Sequence, residues 1–410
     1  MLLNIKRYFS AFLILLFSLV IFSSCDLFTD GDDDGVTLWN TLISYENIGT
    51  LNSDEISDFY PSVIKPFLAY DVMVYRIVYR TEEPNGNQVQ ASGLVLVPER
   101  NNPATLLSLH RSAIFHESEA PSNVSLQSPN GSNTAWGNLG FVFGSAGFIT
   151  IMPDLLGWGS SSNMLHPFML TISDGMVGFD MLLATTELFE SEEIRWNGEL
   201  LAGGYSQGGT STLALTRAVE SDPQNRFEIS KASAGGGAYN LEDLTAVLLE
   251  RSEITFPPYY AFFLKAYRNY YFPTDPMNRF FNSPYDIRIV SDELFRGGYF
   301  GGQIEERLTN QTDLLIRNTF RQQYISGGEP QFREALMNND LTFFSYQTPL
   351  RIYHGENDEI IPHSEAVRSV DNLRNAGSRD LTFYTVEEGT HLSTAETFFY
   401  ESFLWFLGQN

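Results

Sequence analysis

The stretch Leu200-Leu201-Ala202-Gly203-Gly204-Tyr205-Ser206-Gln207-Gly208-Gly209-Thr210 constrains the fold more than any other part of the chain. An apolar run ends in glycines, a serine sits between them, and a helix-like segment, Ser211 to Glu220, follows. This reads as a strand, a very tight turn and a helix. Glycine at 204 and 208 leaves room that a Cβ would obstruct, and the turn holds Ser206 in strained geometry with its hydroxyl exposed. The G-x-S-x-G pattern is a weak signal alone. Its weight depends on whether the rest of the chain supplies the groups that such a serine needs.

The surrounding pattern gives the elbow a setting. Val72 to Arg80 alternates aromatic and β-branched residues, a Pro84-Asn85-Gly86-Asn87 turn follows, and Val89 to Val97 continues as a second run. That predicts a β-hairpin. Ala104 to Leu109 and Phe148 to Met152 are short apolar runs of the buried-strand kind. Glu199 to Gly203, Phe227 to Ser233, Pro349 to His354 and Leu381 to Val386 add four more. Helical patterns at Thr134 to Ser145, Pro167 to Phe189 and Thr394 to Leu407 accompany them. Buried strands alternating with helices imply a mostly parallel sheet covered on both faces, with the hairpin at its edge. Val36 to Tyr70 reads as a mixed leader, with Asn52 or Ser53 capping a short helix.

Leu241 to about Phe344 breaks this alternation. It has no strand pattern, only helical stretches heavy in aromatics: Tyr259, Tyr260, Phe262, Phe263, Tyr267, Tyr270, Tyr271 and Phe272. About 100 residues are too many for a structureless loop, so a helical insertion is expected. It would sit over the carboxyl edge of the sheet, where such folds place their sites. Most of these aromatics are expected to pack the insertion's own core, with three or four reaching a pocket.

The ends and the charge bound the partners. Lys6 and Arg7 precede an apolar run from Tyr8 to Phe22, which ends in Ser23-Ser24-Cys25. That is a signal-peptide pattern, too short for a membrane span. Cys25 is the only cysteine, which excludes an internal disulfide. The acidic stretch from Asp26 to Gly35 reads as a solvated spacer. Asp30, Asp32, Asp34 and Gly35 match the first half of a calcium loop, but Thr41 stands where the bidentate Glu belongs, so no metal site is expected. A net charge of −25 repels phosphate backbones and argues against a nucleic-acid partner.

A serine hydroxyl becomes a nucleophile when a base takes its proton, and the base needs a carboxylate to orient it. The chain has six histidines. His110, His116 and His166 precede Ser206, His354 falls inside a strand end, and His363 opens a helix. His391, in Glu388-Gly389-Thr390-His391-Leu392, falls on the loop between the last strand and the last helix, at the same sheet edge as the elbow. For the acid, the loop after Tyr353-His354-Gly355 offers Glu356, Asp358 and Glu359, and pattern alone leaves all three open.

These residues carry a resemblance. From about Tyr75 onward the chain resembles the α/β-hydrolase family, and within it secreted bacterial and fungal lipases and esterases with a helical cap. Gly204-Tyr205-Ser206-Gln207-Gly208-Gly209 is similar to the family's nucleophile motif. His354-Gly355 to Asp358 with Ile361-Pro362 is similar to its acid-loop motif. Ser92 to Pro98, Pro153 to Ser160 and His166-Pro167 also resemble family segments. The resemblance implies an α/β-hydrolase fold with a mostly parallel central sheet, flanking helices and a helical cap insertion. It implies Ser206 as nucleophile, His391 as base and Asp358 as orienting acid, with no cofactor. Leu109-His110-Arg111-Ser112 departs from the family's His-Gly, which assigns the oxyanion hole to the N–H groups of Gln207 and Ser112. Cys25 resembles the lipidated cysteine of a bacterial lipobox, with Phe22 in place of the usual Leu.

The expected organisation is a signal segment 1–25, an acidic tether 26–35, a first core part 36–240, a cap 241–345 and a second core part 346–410. The expected activity is hydrolysis of small-molecule or lipid esters by an exported, outer-membrane or cell-surface lipoprotein, touching the membrane through its lipidated N-terminus. A serine peptidase of the same fold, with Glu305-Glu306 holding a peptide amine, is the first alternative. A ligand-binding surface lipoprotein without turnover is the second.

Overall fold

The computed structural model describes residues 40–58, 64–126 and 139–409. The apolar run from Tyr8, Cys25, the acidic spacer and the half calcium loop from Asp30 to Gly35 lie outside them. Among the described residues, nine strands form one sheet. They are β1 (Leu42–Leu51), β2 (Val72–Glu82), β3 (Gln88–Pro98), β4 (Ala104–His110), β5 (Ile149–Pro153), β6 (Trp196–Tyr205), β7 (Ile229–Gly235), β8 (Leu350–Gly355) and β9 (Leu381–Val386). Their order is β1-β2-β3-β5-β4-β6-β7-β8-β9. The β2–β3 hairpin is antiparallel, β3 pairs antiparallel with β5, and every pairing from β5 through β9 is parallel.

Period-2 alternation sends successive residues to opposite faces. Val95, Leu106, Ile151, Leu200 and Ala202 pack on one face, against α3 (Thr171–Ser191) and α4 (Gln207–Glu220). Leu94, Leu96, Leu107, Met152 and Leu201 pack on the other, against α2 (Leu139–Ser145) and Phe403 and Phe406 of α13 (His391–Phe406). Burial on both faces is why the central strands read as unbroken apolar runs.

The leader is more regular than its sequence suggests. Asn52 caps α1 (Ser53–Ser57) in a reciprocal capping box with Glu55. Before it, β1 adds an edge strand antiparallel to β2. Its register slips between Asn47 and Gly49, and most of its outward residues meet solvent. The broken register and polar outward positions hide the strand period.

Between β7 and β8 the chain forms helices: α5 (Leu241–Glu250), α6 (Pro257–Tyr271), α7 (Tyr285–Ser291), α8 (Gly301–Glu305), α9 (Thr312–Leu315), α10 (Asn318–Ile325) and α11 (Pro330–Asn338). With Phe115, Trp158 and Phe168 from the loops beneath, they bury a second cluster around α6. Phe262 is fully buried and stacks on Phe168 at 4.9 Å and on Phe295 at 4.7 Å between ring centroids. Beyond β8, α12 (His363–Ala376) leads to β9 and then to α13.

Candidate active site

The elbow follows from two backbone contacts. β6 ends at Tyr205 and α4 begins at Gln207, so Ser206 alone makes the turn, at φ 59° and ψ −122°. A non-glycine residue held there costs of order 1–3 kcal/mol. A Cβ on Gly204 would lie 2.4 Å from the Gly208 carbonyl oxygen, and one on Gly208 would lie 2.1 Å from that of His110. The first collision is across the turn. The second is with the end of β4, so Gly208 serves the seating of the helix on the sheet as well as the turn.

The structure brings Ser206, His391 and Asp358 into one chain of hydrogen bonds. The Ser206 Oγ lies 2.9 Å from His391 Nε2, and His391 Nδ1 lies 2.7 Å from Asp358 Oδ2. The carboxylate keeps the imidazole proton on Nδ1, which leaves the Nε2 lone pair facing the serine hydroxyl. Asp358 Oδ1 accepts from the backbone N–H of Ile360 at 3.0 Å and of Ile361 at 2.8 Å. Burial alone would raise the Asp358 pKa. The His391 hydrogen bond, with attraction from His391 and His354, outweighs burial and holds it below the ordinary carboxylate value.

The three acids of that loop separate cleanly. Asp358 meets the His391 ring. The Glu359 carboxylate accepts the His391 backbone N–H at 3.0 Å, and that of Glu356 accepts the N–H of Glu388 at 3.1 Å. His391 is the first residue of α13, capped by Thr390, rather than a loop residue. The Tyr205 hydroxyl donates to the His391 carbonyl at 2.6 Å, which ties His391 to the strand that leads into Ser206.

Gln207 opens α4, where backbone N–H groups have no intrahelical acceptor. Ser112 is placed less simply. Its hydroxyl donates to the Tyr205 carbonyl at 3.0 Å, and Ser112 lines a small cavity with Arg111, Asp154 and Gln207. Ala113, its neighbour, lines the cavity that contains Ser206. Arg111 also belongs to the small cavity; burial lowers its guanidinium to about 10, opposed by the charges of Glu119 and Asp154.

The cavity at Ser206 has a volume of about 80 Å³. Leu241, Leu244 and Leu248 of α5 wall it on one side, and Tyr259, Tyr260 and Phe263 of α6 on another. Of the eight aromatics singled out in sequence, these three line it; Phe262 and Tyr267 are instead buried in the helical core. The spacing of α6 fits both roles, so periodicity could not separate them.

One residue at the site had no signal in sequence for what it does there. His166, 2% exposed, lies with its Nε2 2.8 Å from the side-chain amide nitrogen of Gln207. It resembles a family segment only as His166-Pro167, a dipeptide that says nothing of a partner 41 positions away.

Solved structures share this architecture. One, described as a hydrolase from Legionella pneumophila, matches with a TM-score of 0.78 at 22% identity, over 90% of this chain and 98% of its own. The rice cell wall degrading esterase LipA from Xanthomonas oryzae matches with 0.76 at 19%, over 88% and 95%. Candida antarctica lipase A in its closed state matches with 0.69 at 17%, over 90% and 81%. No protein-family model and no curated protein matches this sequence. At such identities the likeness speaks for architecture, and the chain therefore has the α/β-hydrolase fold that these esterase and lipase structures share.

Proposed function

We propose that the protein is a serine carboxylic-ester hydrolase. The observation that carries this reading is the hydrogen-bonded chain Ser206–His391–Asp358 opening onto an apolar cavity. His391 Nε2 takes the Ser206 proton as Oγ bonds to the ester carbonyl carbon. The oxyanion rests on the Gln207 N–H and on a second donor from the Ser112–Ala113 backbone. The carbon–oxygen bond to the alcohol breaks, and His391 returns the proton to the departing alkoxide. His391 then takes a proton from water as the water oxygen bonds to the acyl carbon, and returns it to Ser206 Oγ as the bond to the serine breaks and the carboxylic acid leaves.

The cavity bears on the substrate. At roughly 10–15 Å³ of such space per water-sized group, it holds about six non-hydrogen atoms. That suits an unbranched acyl chain of about six carbons, between the leucines of α5 and the aromatics of α6. The esterase and lipase names of the structural neighbours agree with this class. Among the described residues lining the cavity, the charged ones are Arg251 and Glu359. Arg251 donates to the Glu359 carbonyl, and the Glu359 carboxylate holds the His391 backbone. Glu305 and Glu306 are exposed residues outside the lining, so they do not hold a peptide amine there.

Hydrolysis of p-nitrophenyl esters from acetyl to dodecanoyl, with Ser206→Ala as control, tests the reading. Turnover that depends on Ser206 supports it; aminoacyl amides cleaved in preference to esters would favour the peptidase. We further propose that the chain is exported and anchored through Cys25, on the pattern of Lys6, Arg7, the apolar run and Ser23-Ser24-Cys25. Metabolic labelling with palmitate tests this, and label retained by Cys25→Ser would overturn it.

A further inference from the structure

The reaction at Ser206 makes no direct use of His166, yet His166 is one of the most tightly constrained side chains around it. The rings of Trp158, Phe168 and Phe262 surround it, with centroids 5.9, 5.8 and 5.6 Å away. Its Nδ1 lies 2.7 Å from the Leu156 carbonyl oxygen, which can only accept. The ring proton is therefore on Nδ1, and Nε2 is an acceptor. Burial lowers the imidazole to about 4, so the ring stays neutral at working pH. The group facing that Nε2 at 2.8 Å is the side-chain amide of Gln207, itself 3% exposed.

Gln207 is held from a second side. Its main-chain carbonyl is held by Ser211, which is in turn bonded to Asp174, buried in α3. The Ser211 hydroxyl lies 2.7 Å from Asp174 Oδ2 and 3.0 Å from the Gln207 carbonyl oxygen. Two buried polar side chains, His166 and the Asp174-bonded Ser211, thus hold the residue directly after the strained Ser206. Without its histidine acceptor, a buried amide N–H would be left unsatisfied, and the side chain would turn to find another partner. Turning it would pull on the Ser206–Gln207 peptide, whose N–H is the oxyanion donor.

We infer that His166 is a positioning residue for the chemistry at Ser206, with its Nε2 holding the Gln207 side chain so that the Gln207 backbone N–H is aimed where the oxyanion forms. Ser211, bonded to Asp174, holds the Gln207 main-chain carbonyl. The inference rests on the reading of Ser206 as nucleophile. It gives His166-Pro167 a role in catalysis without contact to substrate.

The test compares two substitutions of similar volume, His166→Gln and His166→Met. Glutamine places a carbonyl oxygen near the former Nε2; methionine fills the same space with no comparable acceptor. With p-nitrophenyl butyrate, His166→Met should lose about 10–100-fold in kcat, as small misplacements do, with KM little changed. Its affinity for butaneboronic acid, which bonds to the serine and places an oxygen in the oxyanion hole, should fall by a similar factor. His166→Gln should recover most of both. Gln207→Met should resemble His166→Met, and the double variant should lose no more than either alone.

Equal kcat and boronate affinity in His166→Gln and His166→Met would overturn the inference, since a packing role treats the two alike. A rise in KM with kcat kept would also overturn it, assigning His166 to pocket shape instead. In either case wild-type turnover that depends on Ser206 leaves the esterase reading standing. Absence of that turnover in the wild type overturns both.

Discussion

Glu359, the residue directly after Asp358, accepts the backbone N–H of His391 at 3.0 Å while Asp358 holds the ring at 2.7 Å. One loop therefore fixes His391 twice, once through its ring and once through its main chain. Glu359→Ala should free the first turn of α13 and lower kcat about tenfold, with KM little changed, a scale set by loss of orientation rather than of a catalytic group. Glu359→Gln, which keeps an acceptor oxygen, should retain most of the rate. Steady-state kinetics on p-nitrophenyl butyrate checks this, and equal rates for the two variants would count against it.

The elbow predicts a steric outcome. Alanine at 204 or 208 would bring a Cβ within 2.4 or 2.1 Å of a carbonyl oxygen, and backbone can yield little there. Each substitution should destabilise the fold by about 3 kcal/mol or more and abolish activity. Urea denaturation checks this directly. Near-native stability in Gly208→Ala would mean that α4 can lift off the end of β4.

Leu244 and Leu248 lie one helical turn apart on α5, and both face the cavity. Leu248→Ala should enlarge that wall and move the preferred acyl chain to longer esters by about two to four carbons, at ~30 Å³ of liquid volume per water-sized group. A kcat/KM series from acetyl to dodecanoyl checks it. An unchanged optimum would place the acyl chain elsewhere.

Asp174 predicts a pH dependence of stability. Burial raises it to about 7 against an ordinary 3.8, with hydrogen bonds from Ser211 and Gln207 opposing. Between those values the folded chain keeps a proton that the unfolded chain has lost, so this group's contribution to stability falls as pH rises from about 4 to 7 and is flat above. Asp174→Asn removes that dependence. The advantage of wild type over variant in urea midpoint should therefore be greatest near pH 4 and decline towards pH 7. A difference independent of pH would contradict the assignment.

Much of this was legible in the residues. The hairpin β2–β3 announced itself because its Pro84-to-Asn87 turn lies between two runs rich in β-branched residues, and the central strands β4 and β5 because burial on both faces favours nearly unbroken apolar runs. Ser206 and His391 were separable from other serines and histidines because a tight turn and a sheet-edge loop each have a local signature. β1 was hidden by the register slip between Asn47 and Gly49, and by outward residues that need not be apolar. Asp358 could not be told from Glu359 by pattern, since both serve His391 from adjacent positions. The contact of His166 with Gln207, and the choice of Tyr259, Tyr260 and Phe263 for the cavity, depend on how distant segments pack. Local sequence carries no record of that.

If Ser206 is a nucleophile activated by His391, as proposed, it reacts covalently with an electrophile shaped like the transition state. A fluorophosphonate probe, followed by mass spectrometry of the labelled protein, tests this most directly. One probe per chain is expected, on the peptide containing Ser206. No label is expected in Ser206→Ala, with slow labelling in His391→Ala and a loss of ester turnover approaching about 10⁶-fold in either variant. Label on another residue, or ester turnover that survives in Ser206→Ala, would contradict the proposal.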